Sequence, residues 1–131
     1  MDGPLLHEWK SIEEKTIFPG FRGRFIHSAN MSFALWDIDA GASLPEHAHP
    51  HEKVGHLLEG EFSLIIAGVA YVMKTGSVAV VPSNARHSGK AVTACRILEV
   101  FYPLREDYFP DGLRMSFRVK PLPSRARGTC T

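Results

Sequence analysis

The twenty residues from Gly41 to Gly60, GASLPEHAHPHEKVGHLLEG, contain four of the seven histidines of a 131-residue chain. Such a cluster needs a chemical explanation, and neutral imidazole is the commonest protein ligand for metal ions. His47 and His49 are separated by one residue, so on a strand their side chains point to the same face. This stretch therefore predicts a metal site built on β structure.

A second stretch, GSVAVVPSNARH from Gly76 to His87, adds one more histidine after a glycine, an apolar run and a proline turn. We expect His87 on a strand that faces the first pair. Together the two stretches resemble the paired motifs of the cupin family, and the resemblance implies an all-β fold, the double-stranded β-helix or jelly-roll barrel. The matching positions are Gly41, His47, His49, Gly60, Gly76, Pro82, Asn84 and His87.

Short runs rich in β-branched and aromatic residues, several with period-two alternation, predict strands along most of the chain. Turn signals separate these runs, and Glu59-Gly60-Glu61 predicts a tight hairpin in which Gly60 takes a positive φ. One helical turn is expected between Arg105 and Phe109. The predicted strands are Met31–Ile38, Val54–Leu58, Glu61–Ile66, Ala70–Met73, Ser77–Val81 and Arg96–Tyr102.

Length and composition are those of one soluble globular domain, with 44% hydrophobic and 22% charged residues. We expect a barrel over residues 25–110, an N-terminal extension over 1–24 and a C-terminal segment over 111–131 whose end is mobile. A formal net charge of +1 argues against nucleic acid as a partner, and no apolar run is long enough to cross a membrane. Two cysteines and a start unlike a signal peptide favour a cytoplasmic location.

Lys53 stands where the cupin pattern has a metal-ligating Glu or Gln. An ammonium group has three donors and no acceptor, and it repels a divalent cation. Three outcomes stay open: a three-histidine site completed by water, a local shift that lets His51 or Glu52 coordinate, or a site without metal in which Lys53 is a functional cation. Any bound ion is expected to be divalent, with Zn, Ni, Mn and Fe all possible.

A further match lies at the end of the predicted barrel, in the stretch EVFYPLREDYF from Glu99 to Phe109. With the His-x-His-Pro-His segment it resembles the small cupins of KdgF type, which open the ring of 4,5-unsaturated uronates to linear keto-aldehyde acids in pectin and alginate breakdown. A guanidinium suits the uronate carboxylate, and a carboxylate suits the proton transfers. The resemblance implies metal ligation by His47, His49 and His87, proton transfer by Glu99, carboxylate binding by Arg105 and a site position for Phe101.

The same residues also have structural interpretations. Glu99 shares a strand face with Ile97 and Phe101, so a carboxylate there must be paired or functional. Phe101 also fits a plain core position, and Arg105 also fits a surface ion pair with an acidic neighbour. Trp36, on an earlier strand, is interpreted as packing alone.

Three functions fit this sequence, and an enzyme that acts on sugar acids is favoured. A metal-dependent dioxygenase is the second, because three histidines with open positions also suit Fe(II) and oxygen. A non-catalytic module that binds a sugar or carboxylate is the third. In each case the expected partner is a small molecule, and a carboxylated sugar is favoured. We also expect a homodimer, because cupins commonly pair and open sheet edges need cover.

Overall fold

The computed structural model of the protein describes residues 5–109, and within that range β-strands dominate. Two short 3-10 turns, Trp9–Ser11 and Glu106–Tyr108, stand at its ends, and the second is the helical turn expected after Arg105. The strands are β1 (Lys15–Phe18), β2 (Phe21–His27), β3 (Ser32–Ile38), β4 (Ser43–His47), β5 (Glu52–Glu59), β6 (Glu61–Ile66), β7 (Val69–Lys74), β8 (Val78–Val81), β9 (His87–Ala91) and β10 (Cys95–Tyr102).

The strands form two antiparallel sheets that enclose one core, so the predicted all-β jelly-roll barrel is confirmed. One sheet has six strands in the order β1-β2-β3-β10-β5-β8, and the other has four in the order β4-β9-β6-β7. All six predicted strands are present with small changes at their ends. The boundary expected after residue 24 falls inside β2, which pairs along its whole length with β3. The segment 111–131 lies outside the described residues.

The hairpin predicted at Gly60 is wrong, because the two strands that it joins belong to different sheets. β5 pairs with β10 and β8, whereas β6 pairs with β7 and β9. Gly60, at φ 105°, carries the chain from one sheet to the other. A β-carbon there would overlap the carbonyl oxygen of Ala94 and lie 2.8 Å from Cys95 Sγ. The glycine is therefore required by close packing at the crossing as well as by its backbone angle.

The core fills the space between the two sheets, and aromatic rings occupy the part nearest the six-stranded sheet. Trp36 packs edge-to-face against Phe21 and Phe25, with ring centroids 6.1 and 5.5 Å away, and Tyr108 stacks on Phe25 at 4.5 Å. Such pairs stabilise by about 0.5–1.5 kcal/mol beyond their burial. The last described residues of the chain are therefore fixed against the barrel by aromatic packing.

No helix within residues 5–109 has the length and apolar character needed to cross a lipid bilayer.

We predict that Gly60→Ala lowers the free energy of unfolding by at least about 2 kcal/mol, because it adds a backbone clash to an unfavourable φ. Gly41→Ala is the matched control: Gly41 has φ 84°, but no described atom beyond its chain neighbours lies within 4 Å of the place that an added β-carbon would take. That control should lose only about 1 kcal/mol. Urea unfolding of both variants measures the difference, and equal losses would contradict the packing argument.

Candidate metal centre

Strand pairing brings two of the three predicted histidine ligands together. His47 is the last residue of β4 and His87 is the first of β9, and the two are direct partners in the antiparallel ladder. Their ring centroids lie 4.1 Å apart. His87 was expected on a strand that faces the first two histidines, but it lies beside His47 in the same sheet, on the adjacent strand.

His49 reaches the same place from a loop, which corrects the expectation that His47 and His49 share one strand. β4 ends at His47, and the proline at position 50 has no N–H to continue a ladder. The carbonyl of His49 instead accepts a hydrogen bond from the backbone N–H of Asn84 at 2.8 Å. The His49 ring centroid lies 4.9 Å from that of His87. The two histidine-bearing stretches of the sequence therefore meet at this residue.

The three imidazoles present their ligand nitrogens to a common point. One nitrogen from each ring lies within 4.8 Å of the others. Each Nδ1 faces a backbone carbonyl, with distances of 2.9 Å from His47 to Pro45, 3.0 Å from His49 to His51 and 2.9 Å from His87 to Ala85. A carbonyl only accepts, so each Nδ1 donates its proton and each Nε2 keeps a free lone pair.

This arrangement fits a metal ion on its own chemistry. The Nε2 atoms of His49 and His87 are buried and have no hydrogen-bond partner among the described residues. Buried polar atoms normally have a partner, and a divalent ion would satisfy these two together with His47. Three histidines on one side of an ion leave positions open for water or substrate.

Burial also keeps the three rings in their ligating form. Desolvation, helped by the positive charge of Lys53, lowers the pKa of His47 to about 4 and that of His87 to about 2. Burial and the nearby Arg105 hold the pKa of His49 far below its usual range. All three imidazoles are therefore neutral at pH 7, and an incoming cation displaces no proton from them.

Lys53 points into the same cavity and ends in an ion pair. Its Nζ lies 3.1 Å from Oε2 of Glu99, and both side chains are largely buried. The other oxygen, Glu99 Oε1, accepts a hydrogen bond from Trp36 Nε1 at 2.8 Å. The ammonium that the sequence places beside the histidines is thus neutralised by a carboxylate on the neighbouring strand, and Glu99 is both paired and directed into the cavity.

Arg105 also borders the cavity, and only 7% of its surface is exposed. Its Nε and Nη2 donate to the two carboxylate oxygens of Asp107 at 3.0 and 2.7 Å. The guanidinium carbon lies 4.7 Å from the Phe101 ring centroid and 4.2 Å from that of Tyr108. The ion pair expected at the surface therefore exists, but its guanidinium is buried beside two aromatic rings.

The remaining predicted site residues divide between the cavity and its surroundings. Phe101 is buried and lines the cavity, with its ring centroid 5.9 Å from that of His49. His51 is buried outside the three-histidine group, with Nε2 bonded to the carbonyl of Leu104 at 3.0 Å. Glu52 is exposed, since it precedes the inward-facing Lys53 on β5. The structure therefore does not bring Glu52 or His51 to the ligand nitrogens.

Two cavity residues were missed by the sequence interpretation. Trp36 was interpreted as packing alone, yet its N–H holds Glu99. Tyr108, expected only to complete a helical turn, is partly buried against the core, and desolvation raises the pKa of its hydroxyl to about 12. A buried indole or phenol needs a hydrogen-bond partner, and this requirement was the available signal. Which group would be the partner depended on strand register, which no local pattern revealed.

The cavity lies between the sheets and is mainly apolar, with its polar groups concentrated at the histidine end. The polar lining residues are His47, His49, Lys53, Glu99, Arg105 and the phenol of Tyr108; the walls come from Phe18, Phe21, Trp36, Ile38, Leu44, Phe62, Leu64, Met73, Val81, Ile97 and Phe101.

These features define a class, the small jelly-roll proteins with a histidine centre inside the barrel. The sequence profile of the cupin domain matches residues 34–101. This range is more than half of the chain and includes the three histidines, Lys53 and Glu99. The chain belongs to the cupin family.

The chain is similar to proteins of several organisms. An uncharacterized protein of Streptomyces coelicolor is 27% identical over 81 residues, which cover 61% of this chain and 77% of that protein. An RmlC-like cupin from Shewanella frigidimarina is 26% identical with a TM-score of 0.78, over 82% of this chain and 97% of the other. KdgF from Halomonas sp. is 21% identical with a TM-score of 0.73, over 76% and 94%. The last likeness bears on the fold alone.

We predict that His87→Ala weakens Zn²⁺ binding by more than about 100-fold, since a lost ligand should cost more than a lost outer-shell contact. Titration calorimetry on untagged protein measures the affinity. His56→Ala is the control, because His56 is exposed on β5 and lies outside the centre. If both variants bind Zn²⁺ like the wild type, the three histidines are not the binding site.

Proposed function

We propose that this cupin binds a divalent metal and opens the ring of 4,5-unsaturated uronates to linear keto-aldehyde sugar acids. The observation that carries the proposal is the position of Glu99 and Arg105 in one cavity with His47 and His49. A carboxylate, a guanidinium and a three-histidine centre are the groups that this reaction needs. The first two also match, by position, the functional residues of the KdgF-type cupins that the sequence resembles.

The reaction is an isomerisation and needs no co-reactant. The hydroxyl proton on C1 is removed and the bond between C1 and the ring oxygen breaks, so that C1 becomes an aldehyde. The electron pair moves through the ring oxygen, C5 and C4, where C4 takes up a proton and C5 becomes a ketone. Glu99 is the group that accepts and returns the proton. A bound divalent ion would polarise the substrate oxygens as a Lewis acid.

In this proposal Arg105 binds the carboxylate of the substrate and so orients it. A uronate carboxylate is planar and bidentate, and a guanidinium matches that geometry better than an ammonium. Asp107 holds Nε and Nη2 of Arg105 through one N–H each, and the guanidinium has further N–H groups that can meet the substrate. The flanking rings of Phe101 and Tyr108 keep the guanidinium plane fixed, which reduces the entropy lost on binding.

A second candidate, a metal-dependent dioxygenase, is favoured by one specific observation. The cavity wall beyond the histidines is built from side chains such as Phe62, Met73 and Ile97, which suit an apolar substrate better than a sugar. Three neutral histidines without a carboxylate ligand also leave positions for oxygen and substrate on Fe(II).

We predict that metal-loaded protein removes the ultraviolet absorbance of the conjugated enol of a 4,5-unsaturated uronate. Glu99→Gln should lower kcat by at least about 100-fold through loss of the proton acceptor. Arg105→Lys should act mainly by raising KM. Arg96→Lys is the control, because Arg96 lies on the outer face in a pair with Asp37.

Unchanged absorbance with fully loaded protein would refute the ring-opening proposal. Oxygen uptake by the Fe(II) form with a phenolic or thiol substrate would then support the dioxygenase. Binding of the uronate without turnover, measured by calorimetry, would support a non-catalytic binding module.

We also propose that the protein is a homodimer through the outer face of its six-stranded sheet. Strand register aligns one apolar row across five strands of that sheet, and Val80 at its end is 53% exposed. A second row on the same face, one row further along the strands, alternates in charge from Arg22 to Asp37 to Arg96 to Glu59, and a row of this kind is complementary to itself across a two-fold axis. The apolar row consists of Ile26, Phe33, Val100, Val54 and Val80.

We predict a dimer mass for the wild type in size-exclusion chromatography with light scattering, and a monomer mass for Val80→Glu, which places a charge in the apolar row. Val72→Glu is the control, because Val72 is 62% exposed on β7, at the edge of the other sheet. A monomeric wild type would refute this interface.

A further inference from the structure

Lys53 departs from the cupin pattern at the position of a metal ligand, and its surroundings compensate for the change. The side chain enters the cavity that His47 and His49 line, but its Nζ lies 3.1 Å from Oε2 of Glu99. The carboxylate is on β10, the strand that pairs with β5. A position that supplies a neutral or anionic ligand in the pattern here supplies a cation with its own counterion.

The field of these two charges reaches the histidines. The charge of Lys53 contributes to the lowered pKa of His47, His49 and His87, and the charge of Glu99 acts in the opposite direction on His47. A group that disfavours a proton on an imidazole also disfavours a divalent cation at that imidazole. Lys53 and Glu99 are therefore close enough to the centre to influence what binds there.

We propose that Glu99, although it is not a ligand, is required for tight metal binding by the three histidines because it neutralises Lys53. The pair replaces the fourth protein ligand with a charge-balanced unit. The centre keeps three protein ligands, and its remaining positions stay open to substrate. This inference rests on the metal-binding part of the proposed function and is independent of which reaction follows.

The physical basis is the net charge that the wild type and each variant place beside the metal ion. In wild-type protein the pair adds no net charge beside the ion. Loss of the carboxylate leaves one buried positive charge, and loss of the ammonium leaves one buried negative charge. A unit charge acts strongly on a divalent ion at the effective dielectric of a protein site. The two single substitutions should therefore change metal affinity in opposite directions, which no purely structural role predicts.

The experiment is Zn²⁺ titration, by competition calorimetry, of the untagged wild type and four variants. Glu99→Gln should weaken binding by at least about tenfold and Lys53→Leu should tighten it by at least about tenfold. The double variant Lys53→Leu with Glu99→Gln should return close to wild-type affinity, because its site is neutral again. Lys53→Arg keeps the cation and should also bind like the wild type. Leucine and glutamine are chosen because neither adds a charge.

Folding is monitored on the same samples by circular dichroism and thermal unfolding of the metal-free proteins. If Glu99→Gln does not fold, the wild type, Lys53→Leu and the double variant still supply the test, since none of them contains an unpaired ammonium. Lys53→Leu should then bind Zn²⁺ more tightly than the wild type, and the double variant should bind it equally tightly. Unchanged or weaker binding by Lys53→Leu would overturn the proposal, as would weaker binding by the double variant than by the wild type.

The outcomes also separate this inference from the proposed reaction. Opposite shifts in Zn²⁺ affinity, in a protein that leaves uronates unchanged, would support the charge pair and refute the ring opening. Uronate turnover together with equal Zn²⁺ affinities in all variants would support the ring opening and refute the charge pair.

Discussion

The pairing of β4 with β9 is the constraint on which the candidate centre depends. It places His47 directly opposite His87, so the distance between the two rings is set by the backbone ladder. His49 follows only because the chain turns immediately after β4 and its carbonyl is bonded to Asn84. One backbone carbonyl then fixes the tautomer of each of the three rings. The centre is thus preorganised by main-chain hydrogen bonds, which cost little entropy when an ion binds.

A second layer of order comes from β3, β5 and β10, which lie side by side in the six-stranded sheet. Their inner faces carry Trp36, Lys53 and Glu99, and the indole and ammonium groups bind the two oxygens of one carboxylate. Each partner alone would be a buried polar group with an unmet requirement. Together they satisfy one another and aim a carboxylate into the cavity next to the histidines.

The sequence was sufficient for the parts of this design that depend on local pattern. The His-x-His pair, the glycine and proline turns and the alternation around Glu99 all have short-range signatures, and they predicted the fold and the three histidines. The hairpin at Gly60 failed because a glycine turn looks alike whether the next strand returns to the same sheet or crosses to the other. The partner of Lys53 was missed for a similar reason. Lys53 and Glu99 are 46 positions apart, and only the β5–β10 register brings them together.

A buried ion pair contributes little to the free energy of unfolding, so stability alone does not account for the pair in this cavity. Replacement of such a pair by apolar residues is often neutral or stabilising by about 1–4 kcal/mol, whereas removal of one partner costs about 3–5 kcal/mol. Most of the cavity wall is apolar, so apolar side chains could also have filled the positions of Lys53 and Glu99. The charges that line the cavity together with the histidines therefore support the proposal that they serve the chemistry of the centre. The same argument applies to Arg105, whose charge is buried beside two aromatic rings and balanced by Asp107.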